Sequence, residues 1–196
     1  MIAPLIAATL ALQSPATLSE PLTAIGRLNH AGYAKARHCT FVAVAPKVAL
    51  TATHCIDGLP LEELHLLFGY ARSKFVARVG VAASRAVGPD ATALCLTEDA
   101  PATVDIAPPA GRGDTVAVIG YGRPRVHVQQ RSACKVLTPV GPDLLLDCPA
   151  RQGTSGGPVL AEGGGVVGVV SRTGRGSSVA VSVGPDAVRA CDVVAQ

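Results

Sequence analysis

The sequence has no tryptophan, and aromatic residues of all kinds make up only 3% of its 196 residues. A hydrophobic core therefore has to be built from valine, leucine, isoleucine and alanine. A chain of this length can bury a good core in one or two small domains. The sequence also lacks a strong excess of positive or negative charge, since the formal net charge is +3 and there is no basic run. Nothing in this pattern indicates a nucleic-acid partner.

Long hydrophobic segments are missing as well, as are repeats and low-complexity linkers. The apolar stretch over residues 1–12 is shorter than the roughly 20 residues that a bilayer-spanning helix needs, so we expect no stable membrane span. Its length fits the hydrophobic region of a secretory signal peptide, although no lysine or arginine precedes it. We predict a signal peptide over residues 1–13, with a disordered or membrane-associated N-terminus as the alternative.

Most of the remaining chain consists of short apolar runs that end at glycine, proline, aspartate or asparagine. This pattern is typical of an all-β sandwich or barrel. The segment from Pro101 to Gly113, which contains Pro108-Pro109-Ala110-Gly111, is the best candidate for a junction between two halves. Near the end, Gly184-Pro185-Asp186 precedes apolar residues that recur about every third position, which predicts a short C-terminal helix.

A serine stands among glycines in Gly153-Thr154-Ser155-Gly156-Gly157-Pro158. Glycine is needed where the backbone takes a positive φ or approaches another group closely. Such a turn would expose the Ser155 hydroxyl and direct the N–H groups of Gly153 and Ser155 into one small space, where they could stabilise an oxyanion. Because a serine hydroxyl alone is a poor nucleophile, this prediction requires a base and a group that orients the base.

A candidate base lies about a hundred residues upstream, in Thr51-Ala52-Thr53-His54-Cys55. At these two stretches the chain resembles the trypsin-like (chymotrypsin-fold) serine proteases, whose signatures read roughly T-A-A-H-C and G-D-S-G-G-P. Each stretch departs from its signature at one residue. The resemblance implies two six-stranded antiparallel β-barrels followed by a short C-terminal helix. We place the peptidase domain at residues 20–196, with barrels over about 24–105 and 112–196.

The resemblance also implies a catalytic triad of His54, Asp90 and Ser155. Asp90 stands just before an apolar run, where the family places its aspartate, although a turn residue is the alternative interpretation. Ser171 matches the family serine that contacts this aspartate and the substrate. The chain would then be a secreted or periplasmic serine endopeptidase that acts as a monomer on proteins or peptides and needs no cofactor or metal. The alternative is a catalytically silent binding protein with a protease fold.

The residues expected to bind substrate come from the segments on either side of the primary pocket. They are Pro149, Ala150, Gln152, Ser171 and Thr173. Family members that cleave after lysine or arginine carry an aspartate six residues before the nucleophile, and here that position is Pro149. We therefore expect a preference for small or apolar side chains.

The one departure inside the serine motif is Thr154, where many family members have an aspartate that binds a newly released N-terminal amine. A buried ammonium without a carboxylate would be costly. We therefore expect activity without a defined N-terminus. We also expect the segment around Ser155 (residues 151–158, the serine loop) to be held by the Thr154 hydroxyl and a neighbouring disulfide.

Six cysteines indicate a disulfide framework in an exported protein, and six cysteines allow fifteen pairings. Cys39 and Cys55 resemble the family's histidine-loop disulfide, and Cys134 with Cys148 could close a hairpin. Cys95 and Cys191 are then left over, and their pairing would attach the C-terminal segment to the strand after Asp90. A zinc site built from His38-Cys39 and His54-Cys55 is the alternative, but it would occupy the candidate base.

Overall fold

The computed structural model describes residues 15–30, 38–174 and 176–192. The predicted signal peptide (1–13) lies outside the described residues. Within these ranges the chain forms β-strands and short 3-10 turns but no α-helix, so the predicted all-β class is confirmed. The strands in chain order are β1 (Ala16–Thr17), β2 (Ile25–His30), β3 (His38–Ala45), β4 (Val48–Thr51), β5 (Leu64–Phe68), β6 (Ala77–Val79), β7 (Val81–Gly88), β8 (Ala91–Leu96), β9 (Thr115–Gly120), β10 (Gln130–Val140), β11 (Asp143–Leu146), β12 (Pro158–Ala161), β13 (Val166–Thr173) and β14 (Ser178–Ser182).

Strands β2 to β8 form one antiparallel sheet in the order β6-β5-β2-β3-β4-β8-β7. β6 and β7 lie at opposite edges of this order, yet only Gly80 separates them in the chain, so the sheet curls until its edges meet. A β-hairpin usually needs a loop of two or more residues, and β6 and β7 therefore do not pair with each other. The prediction of a closed six-stranded barrel is wrong for this half, which is a curled, open sheet of seven strands.

Strands β9 to β14 do form a closed six-stranded antiparallel barrel, as predicted for the second half. The order is β10-β11-β14-β13-β12-β9, and β9 pairs back onto β10 from Thr115↔Lys135 to Gly120↔Gln130. The two-residue strand β1 adds to the outside of this barrel, where Ala16 lies opposite Arg131. The start of the described chain is therefore attached to the second half before it enters the first.

The predicted C-terminal helix is not present in the described residues, and this prediction is wrong. The segment Pro185–Arg189 is a 3-10 turn of five residues, with the Ala187 N–H donating to the Gly184 carbonyl at 3.0 Å. Two residues beyond this turn, Cys191 is bonded to Cys95 of β8. Because the chain is held at β14 and again at Cys191, only a short, tight turn fits between them. No helix in the described ranges is long and apolar enough to cross a membrane.

The core is aliphatic, as the composition predicted, and its largest cluster lies between the two sheets. Ile25, Val42 and Leu50 of the first sheet pack with Ile119 and Val169 of the second. All five side chains are fully buried. Burial of each such side chain contributes about 1.5–3 kcal/mol, so the two halves are held against each other by the same force that stabilises each one.

Disulfide bonding is confirmed, with three bonds in the described chain. They join Cys39 to Cys55, Cys95 to Cys191 and Cys134 to Cys148. The first ties β3 to the turn that carries His54. The second attaches the C-terminal segment to β8, and the third joins β10 to the segment after β11.

Candidate active site

His54 and Asp90 are brought together at the junction of the two sheets. His54 lies in the 3-10 turn Thr53–Cys55 that follows β4, and Asp90 directly precedes β8. Because β4 and β8 are neighbouring antiparallel strands, with Thr51 opposite Thr92, the end of one lies beside the start of the other. The His54 Nδ1 is 2.9 Å from Asp90 Oδ2, and the His54 backbone N–H donates to Asp90 Oδ1 at 3.0 Å.

Asp90 also accepts a hydrogen bond from Ser171 of β13, whose hydroxyl oxygen lies 2.5 Å from Oδ2. Partial burial acts to raise the pKa of the Asp90 carboxyl, but the bonds from Ser171 and His54 outweigh it and the pKa is lowered. Asp90 is therefore ionised at neutral pH and can only accept hydrogen bonds. The proton of a neutral His54 ring must then be on Nδ1, which leaves Nε2 free to act as a base.

Ser155 and His54 line the same cleft, together with Gln152 and Gly153. His54 is exposed and Ser155 is half-buried, so both side chains are accessible from solvent. Among the described residues, no hydrogen bond joins the Ser155 hydroxyl to His54 in this structure. Such bonds are often long or poorly aligned before substrate binds.

The serine loop leaves two backbone donors free. The N–H groups of Thr154, Gly156 and Gly157 donate to the carbonyls of Arg151, Val170 and Thr154. The N–H groups of Gly153 and Ser155, in contrast, donate to no acceptor in the part of the chain that the structure describes. Gly153 has a φ of 100°, a conformation that favours glycine. Backbone N–H groups that are free of other acceptors are one requirement of an oxyanion site.

A sequence profile of the trypsin-like peptidase domain matches residues 39–169, which is more than half of the chain. The chain belongs to the trypsin-like peptidase family. The match contains all three predicted triad residues and the whole serine loop, and the resemblance inferred from the two motifs is thereby confirmed.

Solved structures of other proteases share the fold of this trypsin-like peptidase. A Glu endopeptidase superposes with a TM-score of 0.76 at 15% identity, covering 92% of this chain and 95% of that one. Protease Anisep from Arthrobacter nicotinovorans gives 0.73 at 14% identity, covering 93% and 99%. The active form of the Rv3671c protease from M. tuberculosis gives 0.70 at 16% identity, covering 100% and 94%. A search of curated protein sequences found no match.

The residues predicted to bind substrate do not all lie in one place. Gln152 lines the cleft with Ser155, whereas Pro149 and Ala150 lie behind the serine loop, in a small pocket shared with Thr154. Ser171 is buried against Asp90, and Thr173 is exposed at the end of β13. Of these five residues, only Gln152 lines the same cleft as His54 and Ser155, and the roles of all five in substrate binding stay predictions.

Sequence reasoning considered His38 only as a ligand of the alternative zinc site, whereas His38 lines the cleft on the side of Cys39. The His38 Nε2 lies 2.8 Å from the carbonyl oxygen of Tyr121, and a carbonyl can only accept, so this nitrogen carries the proton. Burial lowers the pKa of His38, which keeps the ring neutral. No motif marks His38, because its partner is 83 residues away along the chain.

The alternative zinc site loses its ligands in this structure. The candidate atoms of Cys39, His54 and Cys55 lie within 4.8 Å of one another, but the two sulfurs form a disulfide. Zinc binds cysteine as the thiolate, which a disulfide does not provide. The proximity of these three residues is a consequence of the bond beside the histidine.

Proposed function

We propose that this trypsin-like peptidase is a serine endopeptidase that cleaves peptide bonds through an acyl-enzyme intermediate. The observation that carries the proposal is the pairing of His54 with Asp90 in a cleft that also contains Ser155 and two free backbone donors. Each group alone has an ordinary structural explanation. A nucleophile, a base with a fixed tautomer and an oxyanion site in one cleft together support acyl transfer.

In this mechanism the Ser155 oxygen attacks the substrate carbonyl carbon while His54 Nε2 takes the hydroxyl proton. The carbonyl oxygen becomes an oxyanion, stabilised by the N–H groups of Gly153 and Ser155. The intermediate collapses by breaking the carbon–nitrogen bond, and His54 returns the proton to the leaving amine. Water, deprotonated by the same ring, then attacks the ester and releases Ser155. Asp90 holds the ring in position and stabilises its protonated form.

The compartment and the substrate follow from other features. Three disulfides in a small domain are typical of oxidising environments outside the cytoplasm, and they support a secreted or periplasmic protein with the signal peptide at residues 1–13. We propose that it acts as a monomer on proteins or peptides. Pro149 in place of an acidic residue favours small or apolar side chains before the cleaved bond.

The test is labelling with a fluorophosphonate, which reacts with serine hydroxyls that an adjacent base activates. The wild-type protein should be labelled, and peptide mapping should locate the adduct on Ser155. Ser155→Ala should abolish labelling and His54→Ala should reduce it strongly. Ser178→Ala is a matched control because Ser178 is buried on β14, away from the cleft. A folded, disulfide-bonded wild type that is not labelled would contradict the proposal and favour a silent binding protein.

A further inference from the structure

The serine loop needs an external restraint, because one of its two candidate oxyanion donors, Gly153, is a glycine. Gly153 can take positive or negative φ at little cost, so the direction of its N–H group is not set by local sterics. The sequence predicted that the Thr154 hydroxyl would restrain the loop. The structure does not support this, because the Thr154 hydroxyl makes no hydrogen bond to any residue described. Its side chain instead packs against Gly120 and Gly122.

The side chain that does bind the loop is that of Thr40, which is fully buried on β3 of the first sheet. Its hydroxyl donates to the Gly153 carbonyl at 2.8 Å and accepts from the Tyr121 N–H at 3.1 Å. Its backbone N–H donates to the Ser155 carbonyl at 2.8 Å. Thr40 thus binds the carbonyls of the two residues whose N–H groups form the oxyanion site.

Thr40 is itself held from the other side. Its carbonyl accepts a hydrogen bond of 2.9 Å from the Thr51 hydroxyl, so every polar atom of Thr40 has a partner. Tyr121 is fixed in turn, since His38 binds its carbonyl while Thr40 binds its N–H. The restraint crosses from one sheet to the other and joins residues 113 positions apart.

The bonds to Thr40 hold the peptide groups that directly follow the two donor N–H groups. Peptide groups are planar, so the Gly153 carbonyl moves with the Thr154 N–H, and the Ser155 carbonyl moves with the Gly156 N–H. Gly153 and Ser155 are thus held on their carbonyl sides, and moving either residue away from the cleft would break its bond to Thr40. Because Thr40 is fully buried, water could not replace them, and breaking each bond would leave an unsatisfied polar group.

We infer that Thr40 is the positioning residue that keeps the oxyanion site of this peptidase assembled, in the place of a buried ion pair next to Ser155. The inference rests on the proposed serine mechanism. Thr40 touches no substrate; it acts through the orientation of Gly153 and Ser155.

The test compares Thr40→Val with Thr40→Ser in the full chain, after the wild type has been labelled on Ser155. Valine has the shape of threonine without the hydroxyl, and serine keeps the hydroxyl. Removing a single oxyanion donor costs about 10²- to 10³-fold in kcat, and we expect Thr40→Val to lose about tenfold or more while KM changes little. Its affinity for a peptide boronate, which mimics the tetrahedral intermediate, should fall in parallel. Thr40→Ser should stay close to wild type on both measures.

A destabilised control separates positioning from general damage. Val79→Ala opens a cavity in the first sheet, where Val79 is buried away from the serine loop, and it should lower Tm without lowering kcat. If Thr40→Val lowers Tm but keeps the wild-type kcat and boronate affinity, the inference is wrong. If Thr40→Val does not fold, Thr40→Ala provides the same comparison with a smaller side chain, and wild-type kcat there would overturn the inference equally. An unlabelled wild type would instead contradict the proposed function.

Discussion

Both carboxylate oxygens of Asp90 bind His54, one at the backbone N–H and one at the ring. A single aspartate therefore sets the position of the histidine and the tautomer of its ring. The bond to the backbone restrains the 3-10 turn, and the bond to Nδ1 directs Nε2 toward the cleft. In the proposed mechanism, catalysis and local structure depend on the same side chain, and a substitution can separate the two.

We predict that Asp90→Asn lowers kcat by about 10⁴-fold at neutral pH. The amide oxygen can still accept from the His54 backbone, but the amide nitrogen then faces Nδ1 and favours the tautomer whose proton is on Nε2. Hydrolysis of a peptide substrate under saturating conditions measures the effect. Asp143→Asn removes the same charge at a surface pair with Arg172 and should leave kcat unchanged. Wild-type kcat in Asp90→Asn would contradict the assignment of Asp90.

Ser171 controls how acid affects Asp90. Burial acts to raise the pKa of the Asp90 carboxyl, and the Ser171 hydrogen bond is the largest of the interactions that lower it. Because the pKa is lower in the folded protein than in the unfolded chain, ionised Asp90 stabilises the fold above the ordinary carboxyl range. That contribution is lost as the pH falls through the lowered pKa.

We therefore predict that Ser171→Ala makes the protein lose stability at a higher pH on acidification. Without the hydroxyl, the pKa of Asp90 rises, and the carboxylate takes up its proton earlier. Tm measured from neutral to acidic pH should show the shift. Ser178→Ala is the matched control, because the buried Ser178 hydroxyl has no partner among the residues described, and its acid profile should follow wild type. Identical profiles for the two variants would show that the Ser171 bond does not act on Asp90.

Sequence reasoning identified candidate residues where the proposed chemistry lies in a short contiguous stretch. His54 and Ser155 could be found because residues 51–55 and 153–158 each carry a recognisable pattern. Identifying Asp90 also required the position of the strand that follows it. Thr40 carries no pattern, because its partners lie on the other sheet, and its role appears only when β3 packs against the serine loop. Closure of the first barrel was equally hidden, since it depends on whether the two edges can pair. The C-terminal helix was predicted from the spacing of apolar residues, but the disulfide between Cys191 and Cys95 restricts this segment to a 3-10 turn.

Substrate preference can be tested against the position of the nearest acidic residue. Asp147 lies two residues before Pro149, but its carboxylate accepts a hydrogen bond from the Lys135 N–H of β10 at 2.6 Å and is exposed. It is therefore directed at β10, and it does not line the cleft that contains His54 and Ser155. We predict that a peptide library will show no selection for lysine or arginine before the cleaved bond, and that Asp147→Asn will leave the profile unchanged. Strong selection for arginine or lysine that disappears in Asp147→Asn would contradict both statements.

The N-terminal segment allows a final prediction, in which length matters and the terminal amine does not. The sequence alone predicted activity that does not depend on a defined N-terminus. In the structure, however, β1 pairs with β10 and the Leu18 N–H donates to the Gln129 carbonyl at 3.0 Å. Pro15 also lines the small pocket behind the serine loop. A chain that begins at Pro21 lacks these contacts and should show a lower Tm and a smaller active fraction than one that begins at Ser14.

Adding a glycine to the Ser14 chain, or acetylating it, should change neither quantity, because neutral Thr154 offers no carboxylate to an amine. Active-site titration and thermal unfolding of the four proteins measure both effects. Loss of activity on acetylation would show that a free amine is required, and equal activity of the Pro21 chain would show that β1 is dispensable.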